Sequence, residues 1–538
     1  MTGTAACGTE RKLPHRLPFV LVAAIAVIGL LLRIPSFDGS LFEDELATYF
    51  IVTGHSLGSV LDLVRSDQEV TPPLFFILAW LAKGFGDPTQ GLKLISLIAG
   101  VAAIPLTYLL GLWTVGRRAG LVAAGLVALS PFLIFYSTEA RAYELMLLMG
   151  LLSTLSLLRA LHTGRARWWI GYGASSCAAI YTHYAVVFLL MAQFAWALWA
   201  RRDAWRPLIA ANVGAAIAYI PWLPGLQEDR SAPTNLLNLL HPFSLHTVGS
   251  DLQTWAIGTA NLPVGSVPGD IARTLTVAGG AVGIAGLFVT LARAEREGSR
   301  LSDRAVLVVV LALASPVGAA LYSLFGSTVF IPNNLIPSWP GLAVAVAALL
   351  TSGPGLMRVA AVALTLAASA IGAAELLDPD NQRPDYEGAA TFIDRVGRPG
   401  DPVVEVPNSA NPLTPLEVAL AGSGRWTPSD HHVFRLGSPT FGSQLRARAR
   451  GLPLLAPLPV PTAKMIAGQA ASRARGGDLF VVVPSDSLVR AEVGAVLRRL
   501  RRRFHQVATR TFPGFTTVTV DVFRSNRRDH HGGGVAGR

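Results

Sequence analysis

Charge is scarce in this chain. Only 15% of its 538 residues are charged and 51% are apolar, whereas soluble domains carry about 25% charged residues. So few polar groups cannot cover a water-facing surface of this size, which excludes a cytosolic enzyme, a disordered chain and a fibrous repeat. Cysteine is scarcer still: Cys7 lies in a polar N-terminal tail and Cys177 in an apolar run. Neither a disulfide framework nor a cysteine-based zinc site can be built from them. GxGxxG, Walker A and HExxH patterns are absent, as are heptad arrays and solenoid periods. What is plentiful is long apolar runs and basic residues, 45 Lys and Arg against 34 Asp and Glu. A bilayer accounts for both without nucleic acid, because apolar runs span it and basic clusters hold the cytoplasmic side.

A spanning helix needs about 20 apolar residues. Candidate spans are 17–32, 92–115, 119–137, 143–158, 168–182, 184–200, 205–226, 271–292, 305–325, 335–350 and 356–376. The stretch 168–200 is short for two helices, so the count of eleven carries an uncertainty of one or two. Residues 72–85 are apolar but too few to cross, and they read as an interfacial helix. With that choice Arg117-Arg118, Arg165-Arg167, Arg201-Arg202-Arg206, Arg293-Arg296-Arg300 and Arg358 all fall inside, as the positive-inside rule requires. The acidic stretch 36–71, the turns at 137–143 and 182–184, and the long loop 227–270 then lie outside, as does everything after the last span.

The expected architecture is a polytopic α-helical membrane protein with a small C-terminal extracytoplasmic α/β domain. The membrane part covers residues 1–376, with outer loops 36–85 and 227–270; the soluble domain covers 377–525, and 526–538 is a disordered tail. Short β-rich runs at 402–406, 479–484 and 516–523, with a basic helix at 492–504, carry the α/β expectation.

Four features could hold chemistry. Glu43-Asp44-Glu45 places three carboxylates in a row just outside a span, where they perturb one another; a capping acidic loop explains them equally well. The next segment, 46–64, reads as one amphipathic surface helix. Glu139-Ala140-Arg141-Ala142-Tyr143 puts an arginine outside against the trend of the others; an anchor explains it, and so does a phosphate clamp. His183-Tyr184 reads as a core or interfacial pair, or as a substrate contact. Lys83 reads as a snorkelling anchor, or as a phosphate ligand. On this topology all of these gather at one membrane surface.

These residues also resemble a family. Asp44-Glu45, Thr71-Pro72-Pro73-Leu74, Ser130-Pro131 with Arg141-Ala142-Tyr143, Tyr181-Thr182-His183-Tyr184 and Pro384-Asp385-Tyr386-Glu387-Gly388 recur in order along the chain. In combination the pattern resembles the GT-C-type integral-membrane glycosyltransferases, in the bacterial branch of protein O-mannosyltransferases and aminoarabinose transferases. Where that family often shows Arg-Tyr, this chain has Asn333-Asn334.

The resemblance implies sugar transfer from a polyprenyl-phosphate donor to a glycan, lipid or protein acceptor at the outer face of the plasma membrane. It implies Asp44 as catalytic carboxylate with Glu45 beside it, and Arg141 and Lys83 on the donor phosphate. Glu139, Tyr143, His183 and Tyr184 are expected substrate contacts. No cofactor is required, although Asp44, Glu45 and Glu139 could supply hard oxygen ligands to a divalent cation. A polyprenyl-lipid flippase or transporter is the alternative; it would need broken helices and polar residues at mid-depth.

Overall fold

A computed structural model describes residues 17–66, 69–231, 242–294, 302–406, 413–421, 431–435, 460–474, 477–485 and 490–526. The basic N-terminal tail with Cys7, the residues Arg296 and Arg300, and the expected disordered tail from 527 lie outside them.

Every apolar run read from the sequence is helical. The first helices are α1 (Leu17–Phe37), α2 (Asp44–Val52), α3 (Leu57–Val64), α4 (Leu74–Ala82), α5 (Pro88–Thr114), α6 (Arg117–Leu129) and α7 (Pro131–Ser137). They are followed by α8 (Tyr143–Thr163), α9 (Ala166–Thr182), α10 (Val187–Ala200), α11 (Trp205–Tyr219) and α12 (Leu223–Ser231). Further on come Leu245–Ile257, Asp270–Ala294, Asp303–Phe325, Trp339–Ser352 and Gly355–Leu376. Among the described residues, eight helices are long and apolar enough to cross a membrane, or nine if α6 and α7 form one bent span. The two short runs flanking position 183 are not among them.

Helix α8 is central, with 72% of its apolar stretch buried, whereas the helix from Asp270 is peripheral, with 17% buried. Its exposed Ile271, Val277, Ile284 and Phe288 suit a lipid-facing surface. Between α6 and α7 the chain turns by 60°. Pro131 has no N–H to continue the ladder, and the Ser130 hydroxyl caps the new helix by accepting the Leu133 N–H at 3.3 Å. This bend delivers the buried turn 138–142 to the end of the bundle where the first loop lies.

The segment 46–64 forms two helices, not one. Gly54 at φ 78° leaves the right-handed region, which glycine does at little cost, and α2 stops short of α3. Leu46, Tyr49 and Val60 are buried, as the apolar spacing predicts. Helix α4 is nine residues long, about 13 Å, too short to span.

Beyond the last span lies a five-stranded sheet. Its strands are β1 (Pro402–Glu405), β2 (His432–Arg435), β3 (Asp478–Pro484), β4 (Phe504–Phe512) and β5 (Val518–Ser525). Their order is β2-β1-β3-β5-β4, parallel across β2-β1-β3 and antiparallel across β3-β5-β4. Three strands match the sequence reading. The basic helix runs from Arg490 to Leu500, and Phe504 opens β4 instead of closing that helix. One core cluster of this domain contains Tyr386, Ile393, Leu416 and Phe480 and also receives Phe42 from the first loop. Val418 belongs in turn to a cluster that contains Tyr49, Phe75, Phe76 and Trp222. The sheet domain is therefore seated on the first-loop helices.

Candidate active site

Asp44 is the first residue of α2 and its side chain is exposed. The helix N-terminus favours an anion there. Glu45, one residue on, is 1% exposed. Its Oε1 accepts the Ala140 N–H at 2.8 Å and its Oε2 accepts the Phe42 N–H at 3.2 Å. Oε2 also meets the Arg383 Nε at 3.0 Å. The two carboxylates read together from the sequence thus part company: Glu45 is a fully bonded tie, and Asp44 alone faces outward. Between them and Phe42 stands Glu43 with φ 48° and ψ −120°, a backbone region that costs a non-glycine residue about 1–3 kcal/mol.

Arg141 is buried and grips Glu69 in a fork, with Nη1–Oε2 at 2.8 Å and Nη2–Oε1 at 3.3 Å. Its second Nη2 hydrogen reaches the Thr71 hydroxyl at 3.4 Å, and Ser96 donates to the Arg141 carbonyl at 3.0 Å. The guanidinium has five N–H donors; these bonds leave Nε–H and one Nη1–H uncommitted. Burial raises the Glu69 pKa, but the Arg141 charge and hydrogen bonds outweigh it, and the carboxyl sits below its ordinary value. For Arg141 burial is likewise outweighed, first by Glu69 and then by Asp44, and its pKa lies well above the usual one. Asp44 is therefore within electrostatic reach of Arg141.

Glu139 shares this turn. Its Oε2 is buried with no hydrogen-bond partner. Burial first, then the charge of Glu45, pushes its pKa well up, which favours the neutral acid. Tyr143 is buried with its ring 5.3 Å from that of Tyr136 and 5.5 Å from His183. The His183 Nδ1 accepts the Ala185 N–H at 3.2 Å, which puts the imidazole proton on Nε2. Burial and the nearby Arg141 charge lower its pKa to about 4, so at neutral pH it is an uncharged donor.

Lys83 and Tyr184 are engaged by other groups. Lys83 caps α4 at the end away from Thr71, donating to the carbonyls of Val52 at 3.3 Å and His55 at 3.1 Å. Nine residues of helix, about 13 Å, separate it from the Arg141 end. The ammonium caps these carbonyls and lies 4.8 Å from the Trp80 ring. Tyr184 has partners of its own. Its hydroxyl donates to Asp229 and accepts the Trp222 indole N–H at 3.1 Å, which ties α12 to the bundle.

Two residues escaped the sequence reading as site members. Glu69 was one acid among seven in a polar stretch, and only the fold gives it Arg141. Arg383 follows the last span; besides Glu45 it bonds the Thr138 hydroxyl at 3.2 Å and lies 4.6 Å from the Phe135 ring. Its Nη2 is buried without a hydrogen-bond partner. The one available signal was its place beside Pro384-Asp385-Tyr386. Asn334, at the position where the resemblance departs, donates to the Val329 carbonyl at 2.9 Å. Among the described residues no three acidic, histidine or cysteine side chains converge as a metal site, and the oxygens of Glu45 are already committed.

An apolar groove opens nearby. It is a cavity of about 800 Å³ between α9 and α11, lined by Trp169, Gly173, Cys177, Tyr181, Gly214 and Ala218. Leu74, three residues beyond Thr71, is among its walls, and Tyr181 stands two residues before His183.

The fold is that of the GT-C-type membrane glycosyltransferases. Residues 69–226 match the family of dolichyl-phosphate-mannose-protein mannosyltransferases. The structure resembles that of ArnT from Cupriavidus metallidurans bound to undecaprenyl phosphate, at TM-score 0.52 and 14% identity over 94% of this chain and 98% of that one. The same protein in its apo state gives 0.51 and 15%, over 94% and 97%. The apo oligosaccharyltransferase of Archaeoglobus fulgidus gives 0.52 and 12%, over 97% of this chain and 76% of that one. No curated protein matches the sequence significantly.

Proposed function

We propose that this chain is a membrane glycosyltransferase that moves a sugar from a polyprenyl-phosphate donor to an acceptor hydroxyl at the outer face of the cell membrane. The observation that carries the reading is the exposed Asp44 carboxylate within electrostatic reach of buried Arg141, whose remaining N–H groups are free. The neighbours add a precedent, since ArnT has been captured with undecaprenyl phosphate.

The chemistry follows from these groups. The acceptor hydroxyl attacks the anomeric carbon as Asp44 takes its proton; a positioned base contributes ~10²–10⁴-fold. The bond from the anomeric carbon to the phosphate oxygen breaks, and the leaving polyprenyl phosphate gains negative charge. Arg141 answers that charge with its two uncommitted N–H groups inside a buried, low-dielectric site. Attack opposite the leaving group inverts the anomeric centre. Neutral Glu139, Tyr143 and the His183 Nε2–H are suited to hydroxyl groups of the sugar or acceptor. The isoprenoid tail lies in the apolar groove between α9 and α11, entering sideways from the bilayer.

The test is purified full-length protein in nanodiscs with a panel of polyprenyl-phosphate sugars, with and without divalent cations. Release of polyprenyl phosphate with sugar on an added acceptor supports the reading. Donor crossing the bilayer with no cleavage would identify a flippase instead.

A further inference from the structure

We infer that the C-terminal domain is a working part of the Asp44 site, and that Arg383 is the positioning residue through which it acts. The inference rests on the glycosyltransferase reading above and extends it to a part of the chain that the sequence leaves without a task.

Asp44 lies between two anchors, and each engages the C-terminal domain. On its N-terminal side Phe42, 6% exposed, is inserted into the core of that domain among Tyr386, Leu416 and Phe480. The Phe515 ring meets it edge-on at 5.3 Å. On its C-terminal side the Glu45 carboxylate is bound by Arg383. The segment leading in is stitched to the same region: Ser36 donates to the Gln382 side chain at 2.7 Å, and Ser40 accepts the Glu387 N–H at 3.0 Å. Glu43, between the anchors, holds a positive φ of 48°. A non-glycine residue persists there only where its surroundings over-determine it, and Phe42 and Glu45 are those surroundings.

Arg383 is itself fixed by Thr138 and by the face of Phe135. One guanidinium therefore joins three segments: the start of α2, the turn that carries Glu139 and Arg141, and the entrance to the C-terminal domain. Moving it shifts Asp44 relative to Arg141 without touching either. A misplacement of about 1 Å in a reacting group costs about 100-fold in rate.

The experiment uses the full chain in nanodiscs with the variants Arg383→Gln, Arg383→Lys, Glu45→Gln and the Arg383→Gln/Glu45→Gln pair. Two readouts are taken: amide hydrogen exchange, and steady-state release of polyprenyl phosphate. The Glu45 and Leu46 amides bond the Phe42 and Glu43 carbonyls at 3.1 Å each. In Arg383→Gln we expect those two amides to exchange about 10-fold faster, kcat to fall about 100-fold and the donor KM to hold. Arg383→Lys should recover part of kcat, and the double variant should be no worse than the poorer single one. Unchanged exchange or unchanged kcat in folded Arg383→Gln overturns the inference. If Arg383→Gln does not fold, the same two readouts are taken on Glu45→Gln, where faster exchange with lower kcat supports the inference and no change in either overturns it. If the wild type turns over no donor, the glycosyltransferase reading fails, and the exchange data alone decide the positioning role.

Discussion

Two buried arginine–glutamate pairs flank Asp44, and they differ in what surrounds them. Arg141–Glu69 is a fork inside the membrane-domain end, with two N–H groups left over. Arg383–Glu45 is a single contact reinforced by Thr138, the Ala140 amide and the Phe135 ring. The first pair lies within the membrane part of the chain, whereas the second ties that part to the C-terminal domain. Burial and charge are alike in the two. Both guanidiniums keep uncommitted N–H groups; what separates them is that Arg383 bonds the start of α2 and the 138–142 turn at once, whereas the Arg141 guanidinium is held on Glu69 and Thr71.

The largest break in this comparison comes from removing one partner of the fork. Glu69→Ala leaves a buried guanidinium unpaired and should cost about 3–5 kcal/mol, read as a loss of thermal stability in detergent. Replacing both groups with apolar residues, Glu69→Leu with Arg141→Met, should restore most of that stability and still abolish transfer. If the double variant stays active, Arg141 is only a fastening. The pH dependence sharpens the point. The Glu69 pKa is depressed in the fold, so its contribution is present above the unfolded value near 4.5 and lost as pH falls through the folded value. Acid destabilisation should therefore be steeper in the wild type than in the double variant.

Tyr184→Phe comes next. It leaves Asp229 without its hydroxyl donor and should cost about 1–3 kcal/mol in stability, with kcat and KM unchanged. A rise in donor or acceptor KM would return Tyr184 to the substrate contacts. Glu139→Gln should change stability only through pH. The Glu139 pKa is raised in the fold, so ionisation in the unfolded state penalises folding once pH exceeds the ordinary value near 4.5. The amide should raise the melting temperature at pH 7, and the gain should vanish on acidification below that value. The smallest effect is expected from Lys83→Ala, with no change in the donor KM. A large rise there would reinstate the ammonium as a phosphate ligand.

Much of this fold was legible because lipid demands long apolar runs, and these can be read one segment at a time. That α4 is too short to span was legible for the same reason: nine helical residues cannot cross a bilayer. Asp44, Arg141 and His183 could be placed at one end from topology alone. Glu69 and Arg383 could not, because their partners lie 72 and 338 residues away in sequence and no local spacing records such contacts. Glu45 and Asp44 are adjacent on a helix yet point in different directions, one into the C-terminal interface and one outward. Lys83 and Tyr184 carried groups of the expected chemistry, but helix geometry sent them to other partners. The division of 46–64 at Gly54 turned on one backbone angle, which apolar periodicity does not encode.

The central claim is that Asp44 is the base of a transfer reaction whose leaving phosphate is met by Arg141. The most direct measurement compares Asp44→Asn with wild type in nanodiscs, reading donor binding and sugar transfer on the same preparations. The account predicts donor binding at wild-type strength with transfer lost. Transfer at a near-normal rate in the asparagine variant would contradict it.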